Sequence, residues 1–286
     1  MTKMVRASVS AWLLALFVST IAGAQASRCI TSVPYGNNAA AGHFATVNGI
    51  HLYYETYGSG PVLLLMHGNG GSIAGMACQI AFFSSSHKIV AVDSRGRGKS
   101  EDGNAPFTFE QQADDFSALL EQEHLDKADV LGQSDGGIIA LVMGIRHPDK
   151  VRKIVASAPN LRPDDTALFA SVIATMKASI AEAAAKLAAG DQSRDWVRRK
   201  RQLEQDLYEP HISLQQVHSI EAPTLLIGAD DDVILPEHYL EIYKSLPHAQ
   251  LFIIPGTTHR GLTGSAMFNT AVSHFLDDPF VRPTSK

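Results

Sequence analysis

Two cysteines, Cys29 and Cys78, are too few in 286 residues to form a disulfide framework, although in an oxidising compartment they could pair with each other. Neither an H-E-x-x-H motif nor a Cys/His cluster occurs, so the twelve histidines offer no metal-site pattern and no metal or other cofactor is implied. Basic residues are in the minority, 24 against 29 acidic ones, and the net charge of -5 lacks the broad positive face that a nucleic-acid partner would require. Internal repeats and low-complexity tracts are absent. The apolar stretch from Ala11 to Ala22 falls short of the roughly 20 residues that a membrane span needs.

A composition of 45% hydrophobic and 19% charged residues suits one large core rather than a fibrous or disordered chain. At the N-terminus, Lys3 and Arg6 precede the apolar stretch and the small-residue sequence Ala24-Gln25-Ala26 follows it, the order of a secretory signal peptide. Residues 1–26 are therefore expected to be removed on export to the periplasm or the medium, leaving no stable membrane anchor.

Past the leader, helix and strand patterns alternate. HFATVNG (43–49), IHLYYETYG (50–58), PVLLLMHG (61–68), KIVAVDS (88–94) and Ala128–Leu131 read as strands. VRKIVASA (151–158), PTLLIGA (223–229) and QLFIIPG (250–256) read as strands buried on both faces of a parallel sheet. Helical periodicity runs through 107–125 and 135–146. The expected fold is α/β, a mostly parallel central sheet flanked by helices. Residues 161–221 break the alternation with helical stretches only, Leu168, Val172, Met176 and Ile180 sharing one face. They are expected to form an inserted helical cap on a core of 27–160 and 222–286, placed as a lid over the ends where ligands bind in open α/β sheets. The basic run RRKR at 198–201, with Glu204 and Asp206 nearby, reads as a solvated helix face.

The chemistry begins at VLGQSDGG (130–137), where one serine stands in a strand-to-helix turn. A G-x-S-x-G turn strains the serine backbone and pushes its hydroxyl outward, and glycines are needed where a Cβ would collide with the neighbouring strand or helix. A serine hydroxyl is too weakly acidic near neutral pH to attack an acyl carbon without a base. His259 lies in a loop after the last strand, where a packing histidine would be out of place, and can supply that base. An aspartate behind it would fix the imidazole tautomer and stabilise the imidazolium.

HGNGG (67–71), DSRGRGKS (93–100), GQSDGG (132–137), GADDDVILPEH (228–238) and IPGTTH (254–259) together resemble the α/β-hydrolase superfamily, over residues 43–278. That resemblance implies the chain order serine, acid, histidine, which Ser134, an aspartate within 230–232 and His259 follow. Counting back from Pro236, which opens a helix, places the acid at Asp232, whereas counting from Gly228 places it at Asp231; the proline anchor is preferred because it gives the usual loop length. The resemblance further implies an oxyanion hole from the backbone N-H groups of Asn69 and Asp135, with His67 structural. The G-x-S-D-G-G elbow is similar to that of biphenyl-hydrolase-like, valacyclovirase-type members, while an acid at Asp135 also suits a helix N-terminus without any substrate contact. The implied activity is an exported serine hydrolase with a small-molecule substrate, a carboxylic ester or else a thioester, lactone or amide, opened through an acyl-enzyme on Ser134. Carbon-carbon hydrolase or lyase chemistry on the same triad, and a non-catalytic ligand receptor, are the alternatives.

Overall fold

A computed structural model describes residues 31–281. The expected leader, 1–26, lies outside the described residues, as does Cys29, so the question of its pairing with Cys78 falls outside them too. In chain order the elements are β1 (Gly42–Val47), β2 (Ile50–Tyr57), β3 (Val62–Met66), α1 (Ala77–Phe83), β4 (Lys88–Val92), α2 (Phe109–Gln122), β5 (Ala128–Gln133), α3 (Asp135–Arg146) and β6 (Val151–Ser157). Then come α4 (Ala170–Ala188), α5 (Trp196–Tyr208), α6 (Leu214–His218), β7 (Thr224–Asp231), α7 (Pro236–Ser245), β8 (Ala249–Thr258) and α8 (Ala266–Asp277).

The strands form one sheet in the order β1-β2-β4-β3-β5-β6-β7-β8. β1 and β2 form an antiparallel hairpin and β2 pairs antiparallel with β4, while the pairs from β4 through β3, β5, β6 and β7 to β8 are parallel. Central strands carry unbroken apolar runs, as in Leu63-Leu64-Leu65-Met66 of β3, every residue of which is buried, because helices cover both faces of the sheet. β8 departs from the expectation of a strand buried on both faces: it is the edge strand, and most of its residues remain partly exposed or exposed.

The chain leaves β3 toward β4 on one side and returns to β5 on the other, so the order reverses between β3 and β5. A crevice opens at the carboxyl ends of strands at such a switch point, and this is where loops 67–71 and 133–135 emerge. Between β6 and β7 stand α4, α5 and α6, with α4 and α5 packed on each other. Leu168 does not belong to the first of these helices. α4 begins at Ala170 with Phe169 as its N-cap, and Leu168 forms an isolated antiparallel bridge with Ile234, which pins the start of the insertion to the loop after β7.

The DSRGRGKS segment after β4 is held by two buried acids. Asp93 accepts from the N-H groups of Ile73 and Lys99, both at 2.8 Å. Asp115 on α2 takes Arg95 in a two-pronged pair, Nε and a terminal nitrogen each at 2.7 Å, and both side chains are fully buried. Asn48 and Gln111 fill the remaining acceptor positions of Asp115, each at 3.0 Å. Asp115→Ala would leave the Arg95 guanidinium buried without its counter-charge and is expected to cost about 3–5 kcal/mol of unfolding free energy, read from urea denaturation. A loss under about 1 kcal/mol would mean that water replaces the carboxylate at no cost.

Candidate active site

Ser134 is the N-cap of α3, with φ 57° and ψ -117°, a left-handed conformation that a non-glycine residue adopts only under the constraint of its surroundings. Two glycines make the turn possible. A Cβ on Gly132 would lie 1.9 Å from the carbonyl oxygen of Gly136, and one on Gly136 would lie 2.2 Å from that of Met66 on β3. Ser134 N-H donates to the carbonyl of Ser157 on β6 at 2.8 Å, which anchors the elbow to the next strand.

The structure brings His259 and Asp232 to this serine. Ser134 Oγ stands 3.0 Å from His259 Nε2, and His259 Nδ1 stands 2.7 Å from Asp232 Oδ1. His259 follows β8, with its carbonyl accepting from Gln133 Nε2 at 3.2 Å. Asp232 follows β7, and its side chain is 1% exposed. It accepts four further hydrogen bonds, from Tyr239 Oη at 2.7 Å and from the N-H groups of Ala229, Val233 and Ile234 at 3.1, 2.7 and 3.4 Å. Burial pushes its carboxyl up, but the bond and charge of His259 and the other donors outweigh this and hold it below the ordinary carboxylate range. Asp232 is therefore ionised wherever His259 can act as a base.

The neighbouring aspartates do other things. Asp230 accepts from Gly256 and Thr257 N-H at 2.8 and 3.1 Å, tying the end of β7 to β8. Asp231 is an exposed residue of β7, in register with Thr258.

Asn69 and Asp135 line the cavity with Ser134 and His259. Asp135 is the first residue of α3, so its N-H has no intrahelical acceptor and lies next to the serine, where a developing oxyanion could use it. The loop carrying Asn69 is held by its side chain, which reaches α5: Asn69 Nδ2 donates to Asp206 at 2.6 Å and to the Gln202 carbonyl at 3.0 Å, while Arg199 donates to its Oδ1 at 3.2 Å. His67 is buried and lies beneath this loop. Its Nε2 accepts from Ser94 N-H at 3.1 Å, its Nδ1 reaches the Gly68 carbonyl at 2.8 Å, and burial pushes its pKa down to about 4, the signature of a neutral packing imidazole.

Two features had no clear sequence signal. The Asp135 side chain is buried rather than solvated at a helix end, and Arg97 donates to it at 3.2 Å and to Gln205 of α5 at 3.0 Å. Burial raises the pKa of Asp135, and burial together with the charge of Asp135 raises that of Asp206 well above the usual range. The basic run at 198–201 is only partly a solvated face. Arg201 pairs with Asp102 at 3.1 Å and Lys200 with Glu204, but Arg198 and Arg199 line the cavity because the helix turns them toward the core.

That cavity measures about 990 Å³, at the upper end of small-molecule sites. Ile138, Leu168, Val172, Met176, Leu203 and Ile234 give it apolar walls from both core and insertion. Among the described residues no group of three metal-ligating side chains forms a site, and no helix is long and apolar enough to cross a membrane.

Residues 61–182 match the family described as alpha/beta hydrolase fold. Over 269 residues the chain is 30% identical to "Putative carbamate hydrolase RutD" of Caulobacter sp. (strain K31), covering 81% of this chain and 97% of that protein. It is 28% identical to "Serine hydrolase BPHL" of Mus musculus, covering 80% of this chain and 84% of that one. Among solved structures, the enol-lactonase from Burkholderia xenovorans LB400 superposes with a TM-score of 0.69 at 21% identity, over 82% of this chain and all (100%) of that one.

Proposed function

The chain belongs to the alpha/beta-hydrolase family and is a hydrolase, and from that premise we propose that it cleaves a small carboxylic ester by a serine mechanism after export from the cytoplasm. The observation that carries this reading is the continuous hydrogen-bond line Asp232–His259–Ser134, ending on a hydroxyl at the floor of a cavity of about 990 Å³.

In the proposed reaction, His259 Nε2 takes the proton of Ser134 as Oγ bonds to the acyl carbon. The carbonyl π pair moves onto oxygen, and the N-H groups of Asn69 and Asp135 receive that charge. Collapse of this adduct breaks the acyl-oxygen bond, and the proton held on His259 leaves with the alcohol. Water, deprotonated by the same imidazole, then attacks the Ser134 ester and releases the acid with the serine restored. Asp232, ionised throughout, holds the Nδ1 proton in place and stabilises the imidazolium. A carbamate or amide is the second reading, supported by the 30% identity to a protein named for carbamate hydrolysis.

The test is covalent. A fluorophosphonate that reacts with activated serines is expected to add one phosphonyl group to the mature protein, mapped by peptide mass spectrometry to Ser134. p-Nitrophenyl butyrate is expected to be turned over and to slow that labelling by competition. A folded protein that neither takes the label nor turns over any ester or carbamate would stand as a receptor instead.

A further inference from the structure

The cavity above Ser134 has a charge pattern that the proposed chemistry does not explain. In a chain of net charge -5, its wall carries Arg194, Arg198 and Arg199, from the start of α5 and the turn before it, together with Arg260, which directly follows His259. Arg198 is shared between Asp195 and Asp102 at 3.6 and 3.8 Å. Among the described residues, no carboxylate lies in ion-pair range of Arg194, Arg199 or Arg260. Arg199 bonds an uncharged amide oxygen, that of Asn69, and Arg194 rests over the Trp196 ring at 5.4 Å.

The acids along the same wall are engaged by other groups. Asp195 caps α5 by accepting from Arg198 N-H, Asp135 is taken by Arg97, and Asp206 accepts from Asn69. Glu209 is turned to the other end, accepting from Phe109 N-H, and burial raises its pKa too. At Arg199 burial lowers the pKa, Asp206 opposes this, and the like charges of Arg194, Arg97 and Arg260 lower it further. Guanidinium groups gathered at a cavity mouth repel one another, and a carboxylate, whose two oxygens match the guanidinium fork, offsets that repulsion with charge-assisted hydrogen bonds.

We propose that the substrate is an ester bearing a free carboxylate, which docks on Arg194, Arg199 and Arg260 while its scissile carbonyl lies at Ser134. This inference rests on the serine-hydrolase reading. Arg199 touches the loop that carries Asn69, and Arg260 adjoins His259, so the anion subsite flanks the reacting groups. The apolar walls take the carbons between.

The experiment compares mono-p-nitrophenyl esters of dicarboxylic acids with p-nitrophenyl esters of monocarboxylic acids of equal chain length. A second arm places the carboxylate on the leaving group, using a carboxylated nitrophenol. In one of the two arms the charged ester is expected to have kcat/KM at least about tenfold above its neutral counterpart, and that ratio is expected to shrink as salt is raised. Arg194→Gln and Arg260→Gln, both at exposed positions, are each expected to lower the ratio several-fold, with Arg194→Lys keeping most of it. The arm that responds tells whether the carboxylate belongs to the acyl or the alcohol side. Neutral esters turned over as well as charged ones in both arms would overturn the anion subsite and leave the hydrolase reading in place. If no ester of either kind is cleaved, the hydrolase reading fails by itself, and calorimetric titration with adipate decides: saturable binding weakened by Arg194→Gln keeps the subsite, and its absence removes it.

Discussion

Ser134→Ala is expected to lower kcat for p-nitrophenyl butyrate by about 10⁶, the order found when the nucleophile of a serine triad is removed, and to leave only the background contributed by the oxyanion donors and by binding. The fold should survive. The substitution removes one oxygen whose hydrogen bond is to His259 at the floor of an open cavity, so no buried partner is orphaned. The strained backbone at φ 57° is imposed by Gly132, Gly136 and the bond from Ser134 N-H to Ser157, and alanine meets the same constraint as serine. Thermal unfolding is therefore expected to change by no more than about 1 kcal/mol in stability. The pair of measurements matters because activity lost together with the cooperative melt would say nothing about chemistry. A folded Ser134→Ala protein with more than about 1% of wild-type kcat would take the serine out of the mechanism.

What the sequence makes legible here is what short-range sterics encode. The glycines around Ser134 mark a turn that nothing larger can enter, and the structure shows the carbonyl oxygens that exclude a Cβ. The proline at 236 marks a helix start, and counting back from it lands on the aspartate that faces His259. The apolar runs mark the central strands, but they do not say which strand ends at the edge, so β8 reads as buried when it has a neighbour on one side only. Pairings between residues far apart in the chain leave no local pattern. Asp135 and Arg97 are 38 positions apart and Asn69 and Asp206 are 137 apart, so the acids near Ser134 and the inward turn of Arg199 emerge only when α5 is laid on the sheet loops. Leu168 fails for a related reason: its spacing fits a helix, but the bridge to Ile234 holds it in extended backbone.

Asp232→Asn is expected to lower kcat by about 10⁴, whereas Asp231→Asn is expected to change it by less than about threefold. The size of the first effect follows from the donors around Asp232. Every group that touches its carboxylate donates: His259 Nδ1 and the N-H groups of Val233 and Ile234 on Oδ1, and Tyr239 Oη and Ala229 N-H on Oδ2. An asparagine has one acceptor and one donor where two acceptors are needed. If its amide nitrogen faces His259, Nδ1 must become the acceptor, the ring proton moves to Nε2, and the base can no longer take a proton from Ser134. If the nitrogen faces the other way, it meets the Ala229 N-H, which is left buried without an acceptor at a cost of about 1–3 kcal/mol, and the imidazolium still loses its counter-charge. Either orientation disables the base, and the first is the wrong-tautomer state that makes the loss so large. Asp231 has no such position, being exposed on the last residue of β7 with its backbone in the ladder opposite Thr258, so removing its charge touches neither the tautomer nor the imidazolium. Steady-state kinetics on both folded variants over a range of pH checks the assignment. The Asp232 variant should regain part of its rate at high pH, where hydroxide replaces the missing base, and a large loss in the Asp231 variant with a small one in the Asp232 variant would move the acid by one residue.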